Sequence, residues 1–263
     1  KVCCGQRGAM SFQLSIPFEA PVTIEMNSHP SVTPEEIQVT FSNGNTFTIK
    51  GQSAHVYNAP GKKNAVLETI SLLQTHLPEK IDSLQSLHFL CSQTDGAPLG
   101  IHFTDEESGP LLMAPTGIAI VDQKLVIRAH AILPITSHAE QLSLNATKIA
   151  ENHGVLFQVS TLRLPSSFPM DHPIVSLLTD TYNKVMNVDS APFVMSGGNY
   201  AAFLPRAFGF GPGMPGREFP PHIFREGRGD YHQLDESEDI ERVLNFMRIY
   251  AMSIVALDQI DLT

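Results

Sequence analysis

Apolar and polar residues alternate at Phe12, Leu14 and Ile16 and again at Ile37, Val39 and Phe41. A period of two puts each set on one face of a strand, so the chain opens as sheet. Between the second run and Thr46 to Ile49 stands Ser42-Asn43-Gly44-Asn45, and its Asn-Gly pair suits the positive φ of a tight hairpin turn. The period then lengthens: Val66, Ile70, Leu73 and Leu77, spaced by four, three and four, predict a helix opened by Pro60 and stopped by Pro78. A second pass reads as a strand at Leu87 to Cys91 and a hairpin from Gly117 to Ala131 that turns at Asp122-Gln123. A helix from Ser137 to His153, closed by Gly154, and a strand from Val155 to Leu164 complete it.

Two sheet-and-helix passes in succession predict an α+β domain of two lobes, about 1–80 and 81–165. Around Pro165 to Pro173 the composition turns to Pro, Ser and Asp, which marks a boundary. Beyond it Ile174 to Met186 reads as helix and Pro192 to Met195 as a buried strand. In the last helix Ile240, Val243, Leu244, Met247, Tyr250, Ala251, Ile254 and Val255 share one face, which is expected to pack on a sheet. The expected fold class is therefore α/β, with domains at 1–165 and 166–263.

Of the 263 residues, 42% are hydrophobic and 17% charged, the balance of a chain that buries a core. Only 17 Lys and Arg stand against 27 Asp and Glu, so the net charge of -10 disfavours nucleic acid and anionic membranes, whose affinity comes from cationic contacts. No apolar run approaches the ~20 residues of a membrane span, and a cytoplasmic location is expected. The three cysteines, Cys3, Cys4 and Cys91, have no CxxC spacing and read as reduced thiols.

Several short motifs carry chemistry. Gly51-Gln52-Ser53-Ala54-His55, followed by Pro60, Asn64 and Ala65, resembles the lid signature of the zinc-dependent aminoacylase, carboxypeptidase and dipeptidase family of the MH clan. The stretch from Asp95-Gly96 through Leu99-Gly100-Ile101 and Asp105-Glu106-Glu107-Ser108-Gly109 to Pro110-Leu111 is similar to the bacterial dipeptidase-V-like branch, which has a large two-lobed lid. Without the resemblance, Asp105 to Glu107 reads as a solvated loop. Leu125-Val126-Ile127-Arg128, followed by Pro134, resembles the lid strand whose arginine grips the substrate carboxylate. Ser196-Gly197-Gly198-Asn199-Tyr200-Ala201 resembles the Gly-Gly-Thr-Tyr-Ala turn, with Asn199 in place of Thr. Asp230-Tyr231-His232-Gln233-Leu234-Asp235-Glu236 is similar to the family's C-terminal His-Gln segment, so His232 matches a metal ligand, with His222 as the rival.

The resemblance implies a lid of two lobes at 1–165 and the C-terminal part of a metallopeptidase catalytic domain at 166–263. It assigns His55 to the oxyanion, Arg128, Ser196, Gly197, Gly198 and Asn199 to substrate, and His232 to metal. The cofactor implied is a pair of zinc ions, with manganese or cobalt as substitutes. The substrate implied is a dipeptide, or an acylated amino acid if the chain is a deacetylase or desuccinylase instead. No His-x-Asp occurs at any of the 11 histidines, so the other ligands are expected on a missing N-terminal segment of the same protein. The chain alone is then expected to be inactive, to bind no metal and to self-associate. The third reading is a non-catalytic binding remnant. Gly5-Gln6-Arg7 resembles the stretch before the lid, but Ala9 and Met10 stand where the family has a substrate-contacting Asn.

Overall fold

The computed structural model of the chain describes residues 1–27, 29–211, 237, 238 and 240–260. It has an α/β fold. In chain order the strands and helices begin with β1 (Val2–Gln6), β2 (Gly8–Pro17), β3 (Val22–Glu25), β4 (Val32–Thr33), β5 (Glu36–Phe41), β6 (Thr46–Lys50) and β7 (Ala54–His55). Helices α1 (Ala65–His76) and α2 (Ile81–Cys91) follow, then β8 (Thr104–Asp105), β9 (Gly109–Pro110), β10 (Leu112–Val121), β11 (Lys124–Leu133), α3 (Ala139–Asn152) and β12 (Leu156–Arg163). The remainder is β13 (Ser166–Ser167), α4 (Pro173–Met186), β14 (Phe193–Met195), β15 (Gly209–Phe210) and α5 (Ile240–Asp258). The chain divides into a larger unit, residues 6–166 and 196–198, and a smaller one, residues 1–5 and 167–195 with the described residues from 199 onward.

The larger unit is built on an antiparallel sheet of order β10-β11-β2-β12. Alternation along β2 sends Met10, Phe12, Leu14 and Ile16 inward, where they join Leu73, Leu84, Leu87, Leu142 and Ala146 of the three helices in one core. Ser11 and Gln13 are left on the opposite, outer face. The hairpin β5–β6 forms as its Asn-Gly signal requires, with Gly44 at φ 85°.

Two sequence expectations are corrected here. Leu87 to Cys91 is helix, not strand: Leu84, Leu87, Leu90 and Cys91 are all buried at helical spacing in α2. A five-residue stretch that is apolar but for His88 is too short to show a period of its own, and the upstream Leu84 decides it. Pro60 does not open α1 either. It stands before Gly61 at φ 76°, outside helical space, and the helix starts at Ala65 behind Asn64, whose Oδ1 accepts from Val66 N at 2.9 Å.

Between β10 and β11 the chain turns at Asp122 (φ 47°) and Gln123 (φ 58°), two left-handed residues in succession. That is the primed turn the strand twist favours, occupied by residues that resist it. Gln123→Gly is expected to raise stability by roughly 0.5–1 kcal/mol, read as an upward shift in the thermal midpoint.

In the smaller unit β13, β1 and β14 pair in that order, with β15 also on β1. The strand β1 is buried along its whole length, so it shows none of the alternation by which a strand advertises itself, and its Val2 and Cys4 pack on Val175 and Leu178 of α4. Residues 1–5 thus belong with residues beyond 166. Strand β14, expected to be buried, is half-buried, with Phe193 exposed. The stripe of α5 is likewise more open than its pattern: the helix buries Ile249 and Ser253, while Met247 is 63% and Ile254 68% exposed. It packs chiefly along the helix α4 and also meets the small sheet, where the Tyr250 ring stands edge-on 6.0 Å from Phe210 of β15 and Leu257 joins the cluster of Val2 and Cys4. Amphipathicity names the face that can be covered, not the partner that covers it. No helix among the described residues is long and apolar enough to cross a membrane.

Candidate functional site

The strand β7 is only two residues long, yet its position is tightly held. Its partner β4 pairs Val32 with His55 and Thr33 with Ala54. The buried Thr33 hydroxyl accepts from Ala54 N at 3.0 Å and donates to Gln52 O at 3.0 Å. One residue on, Val56 N donates to Ser31 O, and the Val56 side chain is fully buried against Ala59, Ala114 and Ile132. This small apolar cluster roots the His55 corner on β10 and β11. His55 itself is exposed, and its Nδ1 accepts from Tyr57 N at 3.2 Å. With that lone pair engaged, a neutral imidazole carries its proton on Nε2, leaving an N–H donor pointing away from its own backbone.

Register places a row of polar groups on the outer face of the four-stranded sheet. Arg128 of β11 stands opposite Gln13, His130 opposite Ser11, and Arg163 of β12 opposite Ala9. The guanidinium of Arg128 crosses β10 over Gly117, where an added Cβ would come within 2.8 Å of its Nε. This is a close approach only glycine allows. Arg128, Ser11, Gln13, His29, Thr116 and Thr161 line a cleft of about 380 Å³. His29 links that cleft to His55, because Val32 bridges to His29 on one side and pairs with His55 on the other.

His130 is half-buried, with Nδ1 3.0 Å from the Ser11 hydroxyl. Burial, then the neighbouring His55, Arg163 and His29, carry its pKa down to about 4, so the ring is neutral near pH 7. Arg163 is also half-buried, and desolvation lowers its pKa with no acid to oppose it. Its Nη1 is shielded from solvent without a hydrogen-bond partner. Gly198 lies against this guanidinium: a Cβ there would sit 3.0 Å from Nη1.

Of the residues singled out from sequence, His55, Arg128 and Ser196 to Gly198 fall within the larger unit. Asn199 falls in the smaller one, where its Oδ1 caps the short helix Tyr200–Phe203 by accepting from Ala201 N at 2.8 Å. His232, His222 and Glu236 lie outside the described residues. Sequence reasoning missed His29, His130 and Arg163. Only the alternation of Arg128 and His130 on β11 could have flagged one of them, and it says nothing of what stands opposite. Asp105, read from sequence as part of a solvated loop, is half-buried and engaged by its own fold. Burial would raise its pKa, but hydrogen bonds from Ser108 and Thr136 outweigh that and hold the carboxyl below the usual range, where it ties two loops together.

The chemistry implied by the resemblance needs a cluster of metal-ligating side chains, and among the described residues no three His, Cys, Asp or Glu converge as one. The described residues therefore do not fit a metal centre. The cysteines are buried and unpaired.

No known protein-family model matches the sequence, and no curated protein matches it. Solved structures do match. The dipeptidase Dug1p from Saccharomyces cerevisiae superposes with a TM-score of 0.52 at 11% identity, over 98% of this chain and 56% of that one. Human carnosine dipeptidase 1 gives 0.44 at 10% identity over the same shares. The M20 family metallo-carboxypeptidase Sso-CP2 from Sulfolobus solfataricus gives 0.40 at 9% identity, over 78% of this chain and 56% of that one. The chain thus spans a little over half the length of these proteins. At such low identity the likeness to Dug1p speaks for architecture, and it establishes that this chain has a fold shared with a dipeptidase along almost all of its length.

Proposed function

We propose that this chain supplies the substrate-handling part of a metal-dependent dipeptidase, with His55 stabilising the oxyanion and Arg128 gripping the substrate carboxylate. The observation that carries this reading is His55. Its Nδ1 is occupied by a backbone N–H, its Nε2–H is free to donate, and its loop is rooted on the sheet face that carries Arg128. A donor fixed in advance costs no reorganisation when negative charge develops on a carbonyl oxygen. A guanidinium fork suits a carboxylate by the same logic of matched, preset geometry. Gly197 and Gly198 let the backbone approach the bound molecule. Water activation is assigned to two ions, zinc or else manganese or cobalt, held by residues other than those described; His232 is the one ligand proposed from this chain.

The test is hydrolysis by the intact protein, supplied with each of these ions in turn, of a small panel of dipeptides and N-acylated amino acids. Turnover of dipeptides, abolished by a chelator and restored by metal, is the expected result. Turnover confined to the acylated amino acids identifies a deacylase. Absence of both turnover and bound metal would leave a non-catalytic binding protein.

A further inference from the structure

We infer that Arg163 and His130, with Ser11 beside them and Gly198 against the guanidinium, form an oxyanion-binding subsite centred away from Arg128 and meeting its cleft at Ser11, one that takes up a proton as it accepts a carboxylate or sulfate-like group.

The separation follows from register. Arg128 faces Gln13 and Arg163 faces Ala9, four residues along β2 and one strand to either side of it. That amounts to about 13 Å along the strands and about 10 Å across them. His130, opposite Ser11, lies between the two arginines. Arg163 is partly desolvated, yet no carboxylate among the described residues pairs with it. A cation withdrawn from water without a counter-charge is costly, and an anionic ligand removes that cost. The groups facing His130 are Arg163 from β12, His55 from β7, His29 from the segment before β4 and the neutral Ser11 from β2. All the ionisable ones are bases, so burial first, and the repulsion of these bases in addition, holds the ring neutral. An anion beside Arg163 offsets that repulsion and favours the imidazolium. Binding then consumes a proton, and affinity strengthens as pH falls from the bound-state pKa of His130 toward its free value of about 4.

The subsite requires neither metal nor turnover, so its test stands apart from the dipeptidase reading. Sodium sulfate, whose charge is constant across the range, is titrated calorimetrically into the intact protein at pH 5 and pH 7.5 at fixed ionic strength. Affinity about tenfold tighter at pH 5 is expected, the effect of an anion that raises the imidazole pKa by roughly two units. His130→Gln should bind sulfate equally at both pH values, and Arg163→Gln should weaken binding at both. Gly198→Ala, which crowds the guanidinium without removing it, should also weaken binding and serves if Arg163→Gln does not fold. Wild-type affinity in folded Arg163→Gln and in Gly198→Ala, or an undiminished pH effect in His130→Gln, would overturn the proposal. Displacement of sulfate by a dipeptide with an acidic side chain, but not by its amide counterpart, identifies the anion as part of a substrate. Displacement by neither identifies a free oxyanion.

Discussion

Replacing His55 with alanine is expected to lower kcat of the intact protein towards a dipeptide by about 10²–10³, with KM changed far less. The split between the two constants is the informative part. A donor aimed at a carbonyl oxygen gains most when that oxygen acquires charge, so its loss falls on the transition state and leaves ground-state binding nearly intact. The side chain is exposed and its single described hydrogen bond is local, from Tyr57 N. Folding should therefore be almost indifferent to the change, and circular dichroism and thermal midpoint should match the parent. His55→Gln provides a graded comparison, because a side-chain amide keeps an N–H donor while losing the ring geometry. Steady-state kinetics across a series of dipeptides makes the measurement. A rise in KM at constant kcat would assign His55 to substrate binding alone, and no change in either would remove it from the site.

Much of the larger unit was legible in the sequence because local signals there agree with one another. Strand β2 alternates cleanly, Asn43-Gly44 and Asp122-Gln123 sit where hairpins turn, and Gly154 closes α3. What failed was local ambiguity that only distant contacts resolve. The run from Leu87 to Cys91 fits a strand until Leu84 is counted, and Pro60 resembles a helix start until Gly61 takes a left-handed φ. The strand β1 was hidden for a different reason. A strand buried on both faces has no polar half to alternate with, and its partners β13, β14 and β15 lie more than 160 residues away.

The candidate site follows the same division. His55 and Arg128 stand inside contiguous motifs, so a linear reading finds them. His29, His130 and Arg163 have no motif of their own: the order β10-β11-β2-β12 sets Arg163 of β12 near His130 of β11 across β2, and His29 arrives through its bridge to Val32. Strand order is the property a single sequence carries most weakly, because it depends on pairings between segments more than 100 residues apart. A site assembled on a sheet face is thus half legible: the residues in the turns can be named beforehand, and those on the strands await the register.

Phe12→Ala is expected to destabilise the larger unit by about 3–5 kcal/mol, the cost of removing a buried ring and leaving its space unfilled. Phe12 is 1% exposed, and its ring centroid lies 5.0 Å from that of Phe157, the neighbour across β2 and β12. Both rings belong to the core that joins the sheet to α1, α2 and α3. The rest of that core is mostly aliphatic, and a close-packed interior cannot close over a void of this size without moving strands. Urea denaturation should show a lower midpoint with an unchanged slope, since the surface exposed on unfolding barely changes. Phe157→Ala should cost a similar amount, and the double variant less than the sum, because the two share one contact and one cavity. The consequence reaches the site. Phe12 lies between Ser11 and Gln13, which face the cleft on the other side of the same strand. A strand that shifts to fill the void carries His130's partner and Arg128's floor with it, so at a temperature where the variant is still folded its KM for a dipeptide should rise by more than its kcat falls. A loss below about 1 kcal/mol would mean that the helices do not close on β2 as this core requires, and the placement of the outer-face residues would fall with it.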